Sequence, residues 1–282
     1  MRDRFGLGWR SQLALGILSN LDRIDIVEVI ADDFFRAPRR ERRALRTLAA
    51  QTPVTLHGVS LGMASSVAVD TKRFDQMARL CDEVRPVSWS EHLAFVRGGG
   101  IEIGHLAAPP RSAATVEGAI ANLRRAREIV GVAPQVENVA TLIDPPGSDR
   151  DEVTWVSQIV SNSESDLLLD LHNLHANSTN FNFDPLDYIA RIPPDCISAI
   201  HLAGGKWIGR PDARRLLDDH LHDVPDPVYQ LLEEVGARAT QPLTVILERD
   251  GNYPPIDWLI DQLDRARRAV ARGRERRRAA AA

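Results

Sequence analysis

Apolar positions along the chain fall into two alternating patterns. Short runs with apolar residues, several of them rich in Val, Ile and Leu, occur at residues 5–8, 26–30, 54–56, 87–89, 135–136, 167–171, 197–202 and 243–247. Between them, residues 39–51, 71–84, 112–130, 152–161, 226–235 and 257–271 carry apolar side chains three and four positions apart. The first pattern predicts strands and the second predicts amphipathic helices. Strands that alternate with helices imply parallel pairing through helical crossovers. Eight such units predict an α/β fold closed into a single (β/α)8 TIM barrel over residues 1–270. An open doubly wound sheet is the rival topology, but no glycine-rich phosphate-binding turn follows the first strand. Residues 271–282 are rich in Arg and Ala and are expected to form a fraying tail on the last helix.

Bulk properties narrow this picture only a little. The length of 282 residues suits one barrel, which needs roughly 250. A net charge of −4 gives no reason to expect nucleic acid or a membrane surface as a partner. The first ten residues are charged and lack the apolar core of a secretory signal, and no apolar run approaches the roughly 18 residues of a membrane span. Cys81 and Cys196 stand far apart without ligand spacing, so a reducing cytoplasm is the expected location.

Candidate chemistry gathers where the strands end. His57 follows the third strand and Ser90, Glu91 and His92 follow the fourth. Glu137 and Asn138 follow the fifth, and the sixth ends in Asp170, then His172, Asn173, His175 and Asn177. His201 closes the seventh, Asp218, Asp219 and His220 come next, and the last strand leads into Glu248, Arg249 and Asp250. In a barrel all strand carboxyl ends share one face, where active sites sit. Imidazole, carboxylate and amide donors suit divalent first-row metals, and the lack of Cys argues against a thiolate zinc site. Nine or more potential ligands stand at these strand ends, more than one ion takes. Two or three ions sharing bridging carboxylates would use the surplus.

Taken one at a time, these residues have plainer readings. His57 suits a hydrogen-bonded core histidine, Glu137-Asn138 a turn or helix cap, and 218–220 a polar loop. Asp170 follows three leucines and needs a cation or hydrogen bonds if buried. Glu28 and Asp32-Asp33, near the second strand, are open between joining the site and supporting it, with support the favoured reading. His105 lacks a strand-end position and is read as structural, while His222 is open between the two roles.

The motifs also carry a family resemblance. His57-Gly58-Val59-Ser60-Leu61, Ser90-Glu91-His92-Leu93-Ala94, Glu137-Asn138-Val139, His201-Leu202-Ala203-Gly204, Asp218 and His220 followed by the string 224–228, and Glu248-Arg249-Asp250 occur in that order. They resemble the segments HGVSL, SEHLA, ENV, HLAG, DxH…VPDPV and ExD of the domain-of-unknown-function 692 family. These are multinuclear non-haem iron-dependent oxidative enzymes, peptide-modifying and similar to those of methanobactin biosynthesis. One string departs: the family's DxNNxYxN stands here as Asp170-Leu171-His172-Asn173-Leu174-His175-Ala176-Asn177, with His172 and His175 in place of Asn and Tyr.

The resemblance implies a xylose-isomerase-like barrel holding two or three irons in a mixed Fe(II)/Fe(III) state, with O2 as co-substrate. It implies a ribosomally synthesised precursor peptide as substrate, modified at Cys, or at Asp or Asn, in natural-product biosynthesis. A small peptide-recruiting partner protein often accompanies such enzymes. By matched position Glu137, Asp170, Asn173, His201, Asp218, His220 and Glu248 would hold two irons, and His57 and His92 would help hold a third. Asp250, His172 and His175 would support the site and shape its pocket. The rival readings are a metal-dependent hydrolase or isomerase on the same barrel, such as a zinc phosphodiesterase, and a non-catalytic peptide- or metal-binding barrel.

Overall fold

The computed structural model describes residues 2–281. Its strands in chain order are β1 (Arg4–Gly8), β2 (Ile26–Ile30), β3 (Val54–Gly58), β4 (Trp89–His92), β5 (Phe95–Gly98), β6 (Ile101–Ala107), β7 (Gln135–Glu137), β8 (Leu167–Asp170), β9 (Ile197–Leu202), β10 (Gly205–Ile208), β11 (Arg215–Asp218) and β12 (Thr244–Leu247). Eight of them form a closed barrel in the order β1-β12-β9-β8-β7-β4-β3-β2. The pairs β1–β12, β12–β9, β2–β3, β3–β4, β4–β7 and β7–β8 are parallel, as helical crossovers require. The fold is therefore the TIM barrel that the alternating pattern predicts.

By internal contacts the chain forms two compact units: Met1–Asp25, Ala140–Asp144 and Leu169–Ala282, and Ile26–Val139 with Pro145–Leu168. In the second unit, Leu56, Trp89 and Val136 on the strands and Phe74, Met77 and Leu123 on the helices are buried. Helix Ala113–Val130 there starts at a Ser112 capping box and stops at Gly131, whose φ of 87° suits a residue without Cβ. In the first unit, Leu7, Ile200, Val245, Leu232, Val235 and Leu263 are buried. Its last helix runs over Ile256–Ala281, so the segment read as a fraying tail continues it. Arg272 pairs with Glu233 at 2.6 Å and Arg274 with Asp3 at 2.9 Å.

Several local departures bear on the site. The fourth barrel strand starts at Trp89, not residue 87, and carries Ser90, Glu91 and His92 within it. The sixth ends at Asp170, because that residue turns the chain by capping helix Leu171–Phe181: its Oδ1 accepts from the Asn173 N–H at 2.6 Å. Residues 172–177 are thus helical and not an extended strand-end loop. Two antiparallel hairpins, β5–β6 and β10–β11, stand outside the barrel. His105 lies on the first, and the second joins the segment after His201 to Asp218. Among the described residues, no helix is long and apolar enough to cross a membrane.

Candidate metal centre

In the unit Ile26–Val139 with Pro145–Leu168, three neighbouring strands deliver one group of donors. The β3–β4–β7 register sets His57 beside Ser90, Gly58 beside Glu91 and His92 beside Glu137. His57, His92 and Glu137 are all buried, and each offers a ligand atom within 4.8 Å of the others. The His57 Nδ1 lies 2.7 Å from Ser90 Oγ, and the His92 Nδ1 lies 3.2 Å from the Gly58 carbonyl. Both rings are thereby turned so that Nε2 faces the same carboxylate oxygen, Glu137 Oε2, at 3.4 and 3.5 Å. The two imidazoles meet edge to face with centroids 4.6 Å apart.

Those Nε2–Oε2 separations are long for hydrogen bonds. They match two donors on one ion, since atoms each about 2.1 Å from a metal lie about 3–3.4 Å apart. Anchoring the far ring nitrogen to hydroxyl or carbonyl is also what orients a metal-binding histidine. Behind this group, Glu91 is fully buried and accepts backbone N–H groups from His92 at 2.9 Å and Leu61 at 3.1 Å. Asp32 accepts the Val59 N–H at 2.9 Å; burial pushes its carboxyl above the usual range against the hydrogen bond from Ser60. These two carboxylates pin the 59–61 loop that leaves His57.

The unit Met1–Asp25, Ala140–Asp144 and Leu169–Ala282 carries a second group. Asp170, His220 and Glu248 each offer a ligand atom within 4.8 Å of the other two. His201 Nδ1 lies 3.0 Å from Glu248 Oε2, and His220 Nδ1 lies 3.5 Å from the same oxygen. His220 Nε2 lies 3.0 Å from Asp218 Oδ2, and His172 Nδ1 lies 2.6 Å from Asp218 Oδ1. His220 adopts φ of 54°, a left-handed backbone that is costly for a residue with a Cβ, and its carbonyl is held by the Asp250 N–H at 2.9 Å.

Burial opposes charge on both His220 and Asp218, yet their mutual attraction wins. Asp218 and Glu248 hold the His220 imidazole well above its ordinary pKa. His220, with hydrogen bonds from His172 and His220, holds the Asp218 carboxyl below its own. Metal takes the neutral imidazole, so metal binding at His220 would compete with the proton that these carboxylates favour. His175 is half-buried with its ring 6.2 Å from that of His172; burial and then His172 lower its pKa.

The sequence-predicted residues thus divide. His57, His92 and Glu137 come together in one group, and Asp170, His220 and Glu248 in the other, with His201 against Glu248 and Asp218 against His220. Asn173 is buried and gives its N–H to Asp170. Asp250 sits 3.4 Å from His220. Asn177 accepts the Thr141 N–H at 2.9 Å, and His222 pairs with Asp219 at 2.9 Å, so both have local structural partners. Sequence reasoning missed Arg10, whose guanidinium binds Asp250 and lies 3.8 Å from Glu248. Its signal is its place just past the end of β1, a strand end that supplies none of the predicted donors.

Comparison with known proteins places this arrangement. A family model described as "RiPP precursor modification enzyme MbnB/TglH/ChrH" matches residues 4–271. The chain belongs to this family. Among curated relatives, a UPF0276 protein of Rhizorhabdus wittichii is 33% identical over 271 residues, covering 94% of each chain. A UPF0276 protein of Streptomyces avermitilis is also 33% identical over 94% of this chain, but the chain spans only 54% of that relative's length. In structure, an L-ribulose 3-epimerase matches with a TM-score of 0.59 at 13% identity, covering 99% of this chain and 97% of that one. A xylose isomerase domain protein from Planctomyces limnophilus gives 0.59 at 14%, covering 98% and 99%, and endonuclease IV from Thermus thermophilus gives 0.55 at 17%, covering 94% and 99%. At such identity these likenesses establish the xylose-isomerase-like barrel alone. The family membership agrees with the motif resemblance drawn from the sequence, and family members modify ribosomally made precursor peptides.

Proposed function

We propose that this protein is a multinuclear, non-haem iron-dependent oxidoreductase that uses O2 to modify a ribosomally synthesised precursor peptide, at Cys or else at Asp or Asn. The observation that carries this reading is that each compact unit holds its own group of His and carboxylate donors: His57, His92 and Glu137 in one, Asp170, His220 and Glu248 in the other. The donors are nitrogen and oxygen without thiolate, a set that suits iron. When bound, two or three irons in a mixed Fe(II)/Fe(III) state would supply one-electron chemistry with O2 that zinc lacks.

The chain's own residues divide the remaining work. His57, His92, Glu137, Asp170, Asn173, His201, Asp218, His220 and Glu248 form the proposed ligand set. Ser90 and the Gly58 carbonyl aim the imidazoles of His57 and His92. Arg10 and Asp250 flank Glu248 and His220 and balance their charge. His172 holds Asp218 from behind, and His175, beside it, would help shape the pocket. The β10–β11 hairpin supports a peptide substrate: it joins the segment after His201 to Asp218, exposes Trp207, and pairs through one edge only among the described residues. An extended peptide can add to such an edge. Cys81 and Cys196, both thiols, favour a cytoplasmic setting, and a small peptide-recruiting protein is the proposed partner, with neither nucleic acid nor membrane involved.

Anaerobic purification followed by metal analysis and Mössbauer spectroscopy tests the cofactor. Co-expression with a short precursor encoded by a neighbouring gene, followed by mass spectrometry, tests the reaction. Iron above one equivalent, O2 uptake and an oxidative mass change on the peptide are expected. Stoichiometric zinc without O2 uptake would instead favour a hydrolase or isomerase, and peptide binding without any mass change a non-catalytic barrel.

A further inference from the structure

Asp218 stands at the root of the β10–β11 hairpin, opposite Gly205. His172, fully buried on helix Leu171–Phe181, lies under that rung. A Cβ on Gly205 would come 2.6 Å from the His172 Cε1 and 2.1 Å from the Leu217 carbonyl, so only glycine lets the hairpin rest on the ring. Among the described residues the ring's one polar contact is its Nδ1, 2.6 Å from Asp218 Oδ1, and its Nε2 is buried without a hydrogen-bond partner. An ionised carboxylate only accepts, so Nδ1 donates. The other oxygen, Asp218 Oδ2, is the one beside His220 Nε2 at 3.0 Å.

We propose that His172 is a positioning residue: by holding Asp218 Oδ1 it presents Oδ2 alone to the metal, making Asp218 a one-oxygen ligand and leaving a coordination position for the substrate's thiolate or carboxylate. This rests on the reading that Asp218 and His220 bind metal. A carboxylate free to turn would chelate through both oxygens and fill that position. Among the described residues His172 is the donor that holds Oδ1, so the restraint depends on one hydrogen bond. Asn, which the family string has at this place, can set an amide N–H near the imidazole Nδ1 and keep the restraint. An apolar side chain cannot.

The test compares the wild type with His172→Asn, His172→Leu and His172→Phe, prepared metal-free and titrated anaerobically with Fe(II) and, as a spectroscopic probe, Co(II). Thermal unfolding of the metal-free forms shows which variants fold, and the Leu and Phe variants remove the donor with different bulk. The dissociation constant, by competition with a chelator, and the Co(II) visible spectrum are the readouts. The apolar variants should shift the Co(II) spectrum and change affinity about 10- to 100-fold, while the Asn variant stays within about threefold with a near-native spectrum. In an Asp218→Asn background the His172→Leu change should lose most of its effect. Apolar variants with wild-type affinity and spectrum overturn the proposal, as does an Asn variant that folds yet behaves like Leu. A wild type that binds neither ion overturns the metal reading itself, and this inference with it.

Discussion

At the residue scale, the two histidines of the first group depend on what holds their far nitrogens. Ser90 Oγ lies 2.7 Å from His57 Nδ1 and 3.5 Å from the Leu56 carbonyl, so its proton can go to the carbonyl while its oxygen accepts from the ring. Replacing Ser90 with Ala frees the imidazole to rotate. Metal affinity of the His57–His92–Glu137 group should fall about tenfold, read by chelator competition, because such supporting contacts are worth about 10- to 100-fold. Cys81 gives a prediction independent of metal. Burial pushes its thiol up to about 12, so at pH 8 only about one molecule in ten thousand carries the thiolate, against about one in four for an ordinary cysteine. Iodoacetamide at that pH should leave Cys81 unmodified in the native protein and modify it readily in denaturant, as peptide mapping would show. Native labelling at the denatured rate would contradict it. The ligand types were legible in the sequence because a His, Asp or Glu just past an apolar run has few other reasons to be there. Ser90, Glu91 and Arg10 were harder to read: a hydroxyl, a carboxylate or a guanidinium supports a site only through the partner it meets, and the partners come from other strands.

At the element scale, barrel strands such as β8 and β12 were legible because burial on both faces leaves continuous apolar runs. The extra hairpins were not. Strand β6 is mostly exposed, and β10 carries Lys206 and Trp207 on an arm with one paired edge, so neither shows a buried run. Helix Leu171–Phe181 was hidden for another reason. Asp170 ends the strand and caps the helix at once, which removes the polar linker that normally separates two elements. The last two helices offer a test in which the sign of the effect decides. Gly273 is mid-helix, where Ala is intrinsically better by about 1 kcal/mol. A Cβ there would meet the Glu233 carbonyl at 2.1 Å and the Ala237 nitrogen at 2.6 Å. Both are backbone atoms, so helices Asp226–Arg238 and Ile256–Ala281 would have to part, at a cost of about 1–3 kcal/mol beyond the propensity gain. Gly273→Ala should therefore lower the Tm of the metal-free protein by several degrees, about 2–4 °C per kcal/mol for a chain near this size. A raised Tm would mean that the close approach has slack and propensity governs.

For the whole molecule, the donor groups make stability a function of metal supply. Without an ion, Glu137 faces two imidazoles, and Asp170, Asp218 and Glu248 cluster around His220. Carboxylates gathered in low dielectric repel, and an ion that binds the folded chain alone stabilises it by mass action. At free metal a thousand times Kd that linkage is worth about 4 kcal/mol per site. Chelation should then lower Tm by about 10 °C for each site emptied, with recovery on adding back Fe(II) under argon, measured by scanning calorimetry. Substituting one ligand of each group tests whether the groups load separately. His92→Ala should lower the metal-to-protein ratio by about one ion and leave the Asp170–His220–Glu248 group loaded. Glu248→Gln should do the reverse. If either substitution strips all metal, the donors act as one indivisible cluster, and the separate stabilisation by each group disappears. If chelation leaves Tm unchanged in the wild type, the buried carboxylates are satisfied by protons and hydrogen bonds alone, and the grouping of His with Glu and Asp at these strand ends is structural.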